Sequence, residues 1–164
     1  MACCCRNWLR ATVPASTSSA ATCNLQPAGN PLRLAERAIG VFRKEHGKVP
    51  CVASSIMLDT DLRERMPDEG RRAEDLLRRE GFIAIWQRPD HEGLLLRHFD
   101  GHERADPPAG QAMAALRAVW DGYRKNLPAA DLQKVLTRDH VLRAAGVEAQ
   151  LMALLIVLGL VRAP

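Results

Sequence analysis

Three stretches of this chain carry apolar residues at intervals of three and four, the spacing that places side chains on one face of a helix. They are residues 32–47, 68–81 and 111–126. Gly47 and Gly81 end the first two stretches, as glycine often does just beyond the last helical turn. The pattern therefore predicts three amphipathic helices.

Two further segments have less regular patterns. After a loop, we expect a helix near Ser54–Arg65 that ends before Pro67, because the residue preceding a proline disfavours helical geometry. Residues 127–146 are expected to hold one or two short helices.

A short β element is predicted between the second and third of the main helices. The segment "FIAIWQR" is rich in β-branched and aromatic residues, "PDHEG" has the composition of a turn, and "LLLRHF" is apolar again. Two strands separated by so short a turn pair as an antiparallel hairpin. We therefore expect a hairpin over residues 82–99.

The expected fold is mainly α-helical with this small β-hairpin. We expect residues 1–31 to form a disordered tail or transit peptide, residues 32–100 a first domain, and residues 111–164 a second helical domain behind a linker. Several pairs of positions in the two halves match at one constant offset, among them Leu76-Leu77 with Leu154-Leu155. A constant offset is what a duplicated domain would give.

The first domain resembles a winged helix-turn-helix, possibly in two tandem copies. In that family the third helix ends in a leucine pair, and a short charged stretch, a glycine and two apolar residues lead into the wing. The matching residues here are Leu76, Leu77, Gly81, Phe82 and Ile83. The resemblance implies DNA binding and transcription regulation, with the third helix in a major groove and the wing on the backbone. The implied contacts are Arg71, Arg72, Arg78, Arg79, Arg88 and His91.

Other features favour a protein-interaction role for the same scaffold. Asp68 and Glu69 stand at the start of the third helix, where they would repel phosphate, and Glu74–Arg78 and Asp75–Arg79 have the spacing of ion pairs within a helix. The small ESCRT-II subunit is built from two winged helices, and its leading L-Q-P segment is similar to residues 25–27 here. The alternative function is therefore a structural or adaptor subunit of a larger complex.

The apolar run at residues 151–161 supports that alternative. It is too short to span a bilayer, which takes about 20 residues, so membrane association is not expected. A helix that is apolar on every side must be covered by something, which favours a homo-oligomer or a protein partner. The expected interface residues are Leu151, Leu154, Leu155 and Leu158.

Composition narrows the cellular setting. The 164 residues include 47% hydrophobic residues and a net charge of +4, which suits a globular protein and tolerates an anionic partner such as nucleic acid. The first 31 residues contain no acid and are rich in Ala, Ser and Thr, as organellar transit peptides are. We expect an intracellular, reducing compartment, either the cytoplasm or an organelle.

No motif for catalysis is evident in the sequence. Neither a phosphate-binding glycine loop nor a nucleophile elbow occurs, so the chain is expected to be non-enzymatic and without a cofactor. The weak candidates for a metal site are His98, Asp100 and His102, which would share one face of an extended strand.

Overall fold

The computed structural model describes residues 29–46, 53–108 and 110–162, together with Cys23 and Leu25. None of the helices in these ranges has the length and apolar character needed to cross a membrane. The elements, in chain order, are α1 (Pro31–His46), β1 (Ser54–Asp59), α2 (Thr60–Arg65), α3 (Pro67–Arg79), β2 (Phe82–Gln87), α4 (His91–Leu96), α5 (Ala112–Val119), α6 (Ala129–Val135), α7 (Arg138–Ala145) and α8 (Ala149–Val157).

The expectation of a mainly helical chain with a small sheet is confirmed. Helices α1 and α3 lie within two residues of their predicted bounds, and the two short helices expected in residues 127–146 are α6 and α7. Helix α5 is shorter than predicted, because it ends at Val119 and Trp120 leaves the helical conformation. The predicted tail lies almost wholly outside the described residues.

The two strands pair in parallel, in a register that sets Ser54 beside Phe82 and Asp59 beside Gln87. Helices α2 and α3 form the crossover that a parallel pair requires. The predicted helix over Ser54–Arg65 is therefore wrong in its first half. Ile56 and Leu58 are buried while Ser55 and Met57 are exposed, which is the period of two that defines a strand.

The predicted antiparallel hairpin is also wrong, and the wing of the winged-helix resemblance is not formed. Residues 91–96 are helical because Asp90 caps the first turn, accepting a hydrogen bond of 3.0 Å from the Gly93 amide. Leu94, Leu95 and Leu96 are all buried, so their apolar run reflects a covered helix and not a strand. In the described residues 110–162 no strand follows the last helix, so the plan of the first half is not repeated.

The core consists of three apolar clusters. The first lies between α1, β1 and α3 and includes Leu34, Leu58 and Leu77. The second joins α4 to α5 and the segment that follows, and the third lies between α7 and α8.

A buried ion-pair network connects α4 to α8. Arg97, at the end of α4, has a side chain that is 2% exposed, and its guanidinium donates to the Glu148 carboxylate at 2.6 Å. Asp106 lies 3.3 Å from the same guanidinium and the Ala105 carbonyl oxygen accepts from its Nε at 3.0 Å. Because each of the three guanidinium nitrogens of Arg97 donates a hydrogen bond, and two of the acceptors are carboxylates, the charge is compensated inside the protein.

Candidate functional site

The carboxyl ends of β1 and β2 lie side by side and are held together by polar contacts. The hydroxyl of buried Thr60 lies 3.1 Å from the Gln87 carbonyl oxygen and 3.0 Å from that of Pro89. The Asp61 amide donates to the same Pro89 oxygen at 3.3 Å. The two segments that leave the strands are therefore fixed relative to each other. In parallel α/β sheets this edge is where ligands bind.

Four carboxyl groups lie at this edge, and we call them the carboxylate site: Asp59, Asp61, Asp90 and Glu92. Burial and, after it, the charges of the other three carboxyl groups together raise the pKa of Asp59 from 3.8 to about 6, against a smaller opposing effect from Lys125. A raised aspartate pKa with these causes marks a partly buried place where several negative charges lie close together.

Two of these carboxyl groups have oxygens that accept no hydrogen bond from the described residues. The Asp59 side chain makes no hydrogen bond to cap α2, although it occupies the N-cap position. In Asp61, one oxygen accepts from Arg65 at 3.1 Å, whereas the other is buried and has no hydrogen-bond partner among the described residues. A buried carboxylate oxygen that is left unpaired is costly, so this Asp61 oxygen is available to a ligand, with the Asp59 carboxyl group nearby.

The other two carboxyl groups are fixed by neighbours. Asp90 accepts the hydrogen bond from the Gly93 amide. Glu92 is 6% exposed, accepts from the Tyr123 hydroxyl at 3.2 Å and lies 3.9 Å from the Lys125 ammonium group. Burial beside this carboxylate raises the pKa of Tyr123, which keeps its hydroxyl protonated.

Gly93 allows the close approach of the chain at this edge. A Cβ atom placed there would collide with the Arg88 carbonyl oxygen and the Pro89 ring. The Arg88–Pro89 peptide bond is cis. Only glycine therefore fits between the end of β2 and the first turn of α4.

The carboxylate site has the ligand type that hard divalent cations prefer. No three His, Cys, Asp or Glu side chains of the described residues converge on one point. A site made by two carboxylates, with water and ligand oxygens completing the shell, is the usual arrangement for Mg²⁺.

The predicted nucleic-acid contacts on α3 are mostly engaged by acids one turn earlier. Arg71 pairs with Asp68, Arg72 with Glu69 at 3.2 Å and Arg78 with Asp75 at 2.7 Å. The predicted spacing of these pairs is therefore corrected from four residues to three, and Glu74 pairs instead with Arg63 of α2 at 2.8 Å.

The remaining predicted contacts differ from these. Arg79 and Arg88 are exposed, and neither makes a hydrogen bond or ion pair within the described ranges. His91 follows the carboxyl end of β2, where its Nδ1 accepts from the side-chain amide of buried Gln87 at 3.1 Å. His91 therefore lies close to Asp90 and Glu92, Arg88 precedes them along the chain, and the two do not form a wing.

The predicted interface on α8 is corrected in part. Leu151 and Leu155 are buried against Val141, Ala144 and Ala145 of α7, so the chain covers them itself. Leu154 and Leu158 are half-buried. A helix that is apolar all round is explained here largely by internal packing.

The weak metal candidates do not come together. His98 is buried, and its Nδ1 donates to the Leu94 carbonyl oxygen at 2.9 Å, while burial lowers its pKa to about 4. Asp100 points to solvent with a side chain that is 93% exposed, 3.7 Å from Arg143. The chain turns after α4 and is not extended, so alternate residues do not share a face.

Sequence reasoning missed the carboxylate site. Its strongest signal was "SIMLDTD", in which Asp59 and Asp61 follow an apolar strand, but the strand was taken for a helix. Glu92 and Tyr123 are far apart in sequence, and no local pattern indicates their contact. Comparison with protein-family models, curated proteins and solved structures finds no match to this chain.

Proposed function

We propose that this protein binds a divalent cation, Mg²⁺ by its chemistry, at Asp59 and Asp61, and through that cation a phosphate-bearing ligand. The observation that carries the proposal is the pair of carboxyl groups of Asp59 and Asp61, where β1 passes into α2. Apart from the Asp61 oxygen that accepts from Arg65, their oxygens have no hydrogen-bond donor among the described residues.

The charge balance of the site supports a cation. Arg65 is bound to Asp61, and Lys125 lies beside Glu92, but Asp59 has no cationic partner within ion-pair distance in the described residues. Holding one buried carboxylate and three partly buried ones close together is unfavourable, and a bound cation offsets that cost. The crowding is therefore explained by a ligand that the carboxylate site holds.

The ligand class follows from the number of available carboxylates. Mg²⁺ is commonly bound by one or two carboxylates, several waters and the phosphate oxygens of a substrate. A cation held in this way polarises a phosphoryl oxygen and orients the group for attack, so the reaction class favoured is metal-assisted chemistry at phosphorus. The expected lack of enzymatic activity rested on missing motifs, and the carboxylate site favours an enzyme instead.

Nucleic-acid binding at the carboxylate site is better supported than nucleic-acid binding by the arginines of α3. A nucleic acid is one phosphate-bearing ligand, and Arg88, two residues before Asp90, is exposed and makes no hydrogen bond or ion pair with the described residues. The adaptor hypothesis has less support, because two of its four expected interface leucines pack inside the chain.

Isothermal titration of MgCl₂ into the full chain at about pH 7.5 tests the proposal. We expect one cation per chain in the wild type, and binding that is weaker by about tenfold or more in Asp61→Asn. Asp100→Asn, a change of the same size and charge at an exposed aspartate, should bind as the wild type does. No binding by the wild type, or equal binding by Asp61→Asn, would refute the assignment.

A further inference from the structure

A cavity of about 510 Å³ opens beside the end of β2. Its charged lining is formed by Arg88, Arg97, Glu103, Arg104, Asp106 and Glu148, and we call it the arginine pocket. The volume falls within the range of small-molecule sites, although the lining is more highly charged than is usual for them.

The acids of the arginine pocket are already engaged by other arginines. Glu148 and Asp106 bind Arg97, which is buried at the base of the network described above. Glu103 lies 3.3 Å from the guanidinium of Arg143. Two arginines are therefore shared by three carboxylates, which leaves one uncompensated negative charge in this network.

Two arginines of the pocket remain available. Arg88 and Arg104 are exposed, and neither makes a hydrogen bond or an ion pair with any described residue. Each guanidinium presents parallel donors that match two oxygens of a phosphate group. The pocket thus combines acids that are already paired with two arginines that have no partner among the described residues, and the charges of these two outweigh the one negative charge left by the pairs.

The arginine pocket lies next to the carboxylate site along the chain. Arg88 directly follows Gln87, the last residue of β2, and Asp90 comes two residues later. We propose that Arg88 and Arg104 form a phosphate-binding subsite for the phosphate-bearing ligand of the carboxylate site, an inference that rests on the proposed function. The subsite would bind one phosphate group, supplied by either a mononucleotide or a nucleic-acid strand.

The test uses both sources of phosphate with the full chain in the presence of Mg²⁺. The probes are adenosine monophosphate, followed by calorimetry, and a labelled oligothymidine of about ten nucleotides, followed by fluorescence anisotropy. For the double variant Arg88→Ala/Arg104→Ala we expect about tenfold to a hundredfold weaker binding of at least one probe. Replacing both residues by lysine should restore only part of the affinity, because the charge returns without the guanidinium geometry.

Matched controls separate the subsite from general charge and from the cation. Arg71→Ala/Arg72→Ala removes the same charge from exposed α3 and should leave probe affinity within about twofold of the wild type. Mg²⁺ binding by the Arg88/Arg104 variants should be unchanged. Two outcomes would refute the subsite while Mg²⁺ binding still supports the cation site. One is that neither probe binds, and the other is that the double variant binds both probes as the wild type does. Probe binding that depends on Arg88 and Arg104 without Mg²⁺ binding would leave the subsite standing and refute the cation.

Discussion

Replacing Asp59 by asparagine should stabilise the protein at neutral pH. The pKa of this aspartate rises from 3.8 to about 6 in the folded chain, chiefly because of burial and then because of three neighbouring carboxylates. The Asp59 side chain makes no capping hydrogen bond to α2. The substitution by asparagine therefore breaks no such bond. Asparagine keeps the shape and removes the charge that the folded state must hold at pH 7.5.

The magnitude follows from the difference between the two pKa values. Each pH unit of difference corresponds to about 1.4 kcal/mol, which gives an upper limit of about 3 kcal/mol for ionised Asp59. The side chain is partly exposed, so solvent screening reduces this value. We expect Asp59→Asn to raise the free energy of unfolding by about 1–2 kcal/mol at pH 7.5.

The sign of the pH dependence is specific to a raised carboxyl pKa. Below about pH 4 both states of the chain hold the proton, so Asp59→Asn should have little effect. Between about pH 4 and 6 the folded state binds more protons than the unfolded state, so the contribution of Asp59 to stability falls as the pH rises. Above pH 7 the difference between variant and wild type should be constant.

Urea unfolding followed by circular dichroism, at several pH values without divalent cations, measures this difference. Asp100→Asn serves as the control, because its side chain is 93% exposed and its removal should change stability by less than about 0.5 kcal/mol at any pH. If Asp59→Asn destabilises the protein at pH 7.5, or shifts stability equally at pH 4 and 7.5, the reasoning about a crowded carboxylate fails.

Three further predictions concern the packing that holds the site. Gly93→Ala should lower the free energy of unfolding by about 2 kcal/mol or more, since the new Cβ would collide with the Arg88 carbonyl oxygen and the Pro89 ring. Thermal unfolding measures this loss, and an unchanged midpoint would contradict the close approach. Glu148→Ala should lower the free energy of unfolding, measured in urea, by about 3 kcal/mol or more, because buried Arg97 keeps only the exposed Asp106 as its ionic partner. Lys134→Ala breaks an exposed ion pair with Asp131 and should lower it by less than about 1 kcal/mol. Leu155→Ala should cost about 2–5 kcal/mol at every protein concentration; a loss of stability that appears only on dilution would instead indicate an interface between chains.

The helices were predictable because their signal is local. The apolar stripes of α1 and α3 recur at the helical period, and Gly81 adopts a φ of +73° where α3 ends. The strand β1 was not predicted, because six residues are too few for its period of two to outweigh the helical segment that follows without a break. The parallel pairing with β2 depends on residues about thirty positions apart, and no local pattern specifies it.

The run "GLLLRHF" shows why the hairpin was mispredicted. Three consecutive leucines are compatible with a buried strand or a covered helix, and periodicity cannot separate the two. The deciding contact is the Asp90 side chain on the Gly93 amide, an N-cap whose spacing is visible in the sequence. Once the hairpin was assumed, Arg88 and His91 were interpreted as a wing and not as neighbours of a strand end.

The failure to predict the carboxylate site follows from both errors, the missed strand β1 and the mispredicted hairpin. Asp59 and Asp61 lie at the end of a strand, and Asp90 and Glu92 follow the end of its neighbour, so the four become one site only when the parallel pair is known. Their acidic character was visible from the sequence. Their proximity was not, because it is created by the crossover through α2 and α3.

The most direct test of the central claim is to locate a bound cation by nuclear magnetic resonance. Mn²⁺ broadens the resonances of nearby amides. If the cation binds at the carboxylate site, sub-stoichiometric Mn²⁺ will first broaden the amide resonances of residues 59–62 and 90–93. Residues of α7 should stay sharp, and excess Mg²⁺ should reverse the broadening. Uniform broadening, or broadening centred on His98 to His102 and absent from Asp59 and Asp61, would contradict the assignment of the site.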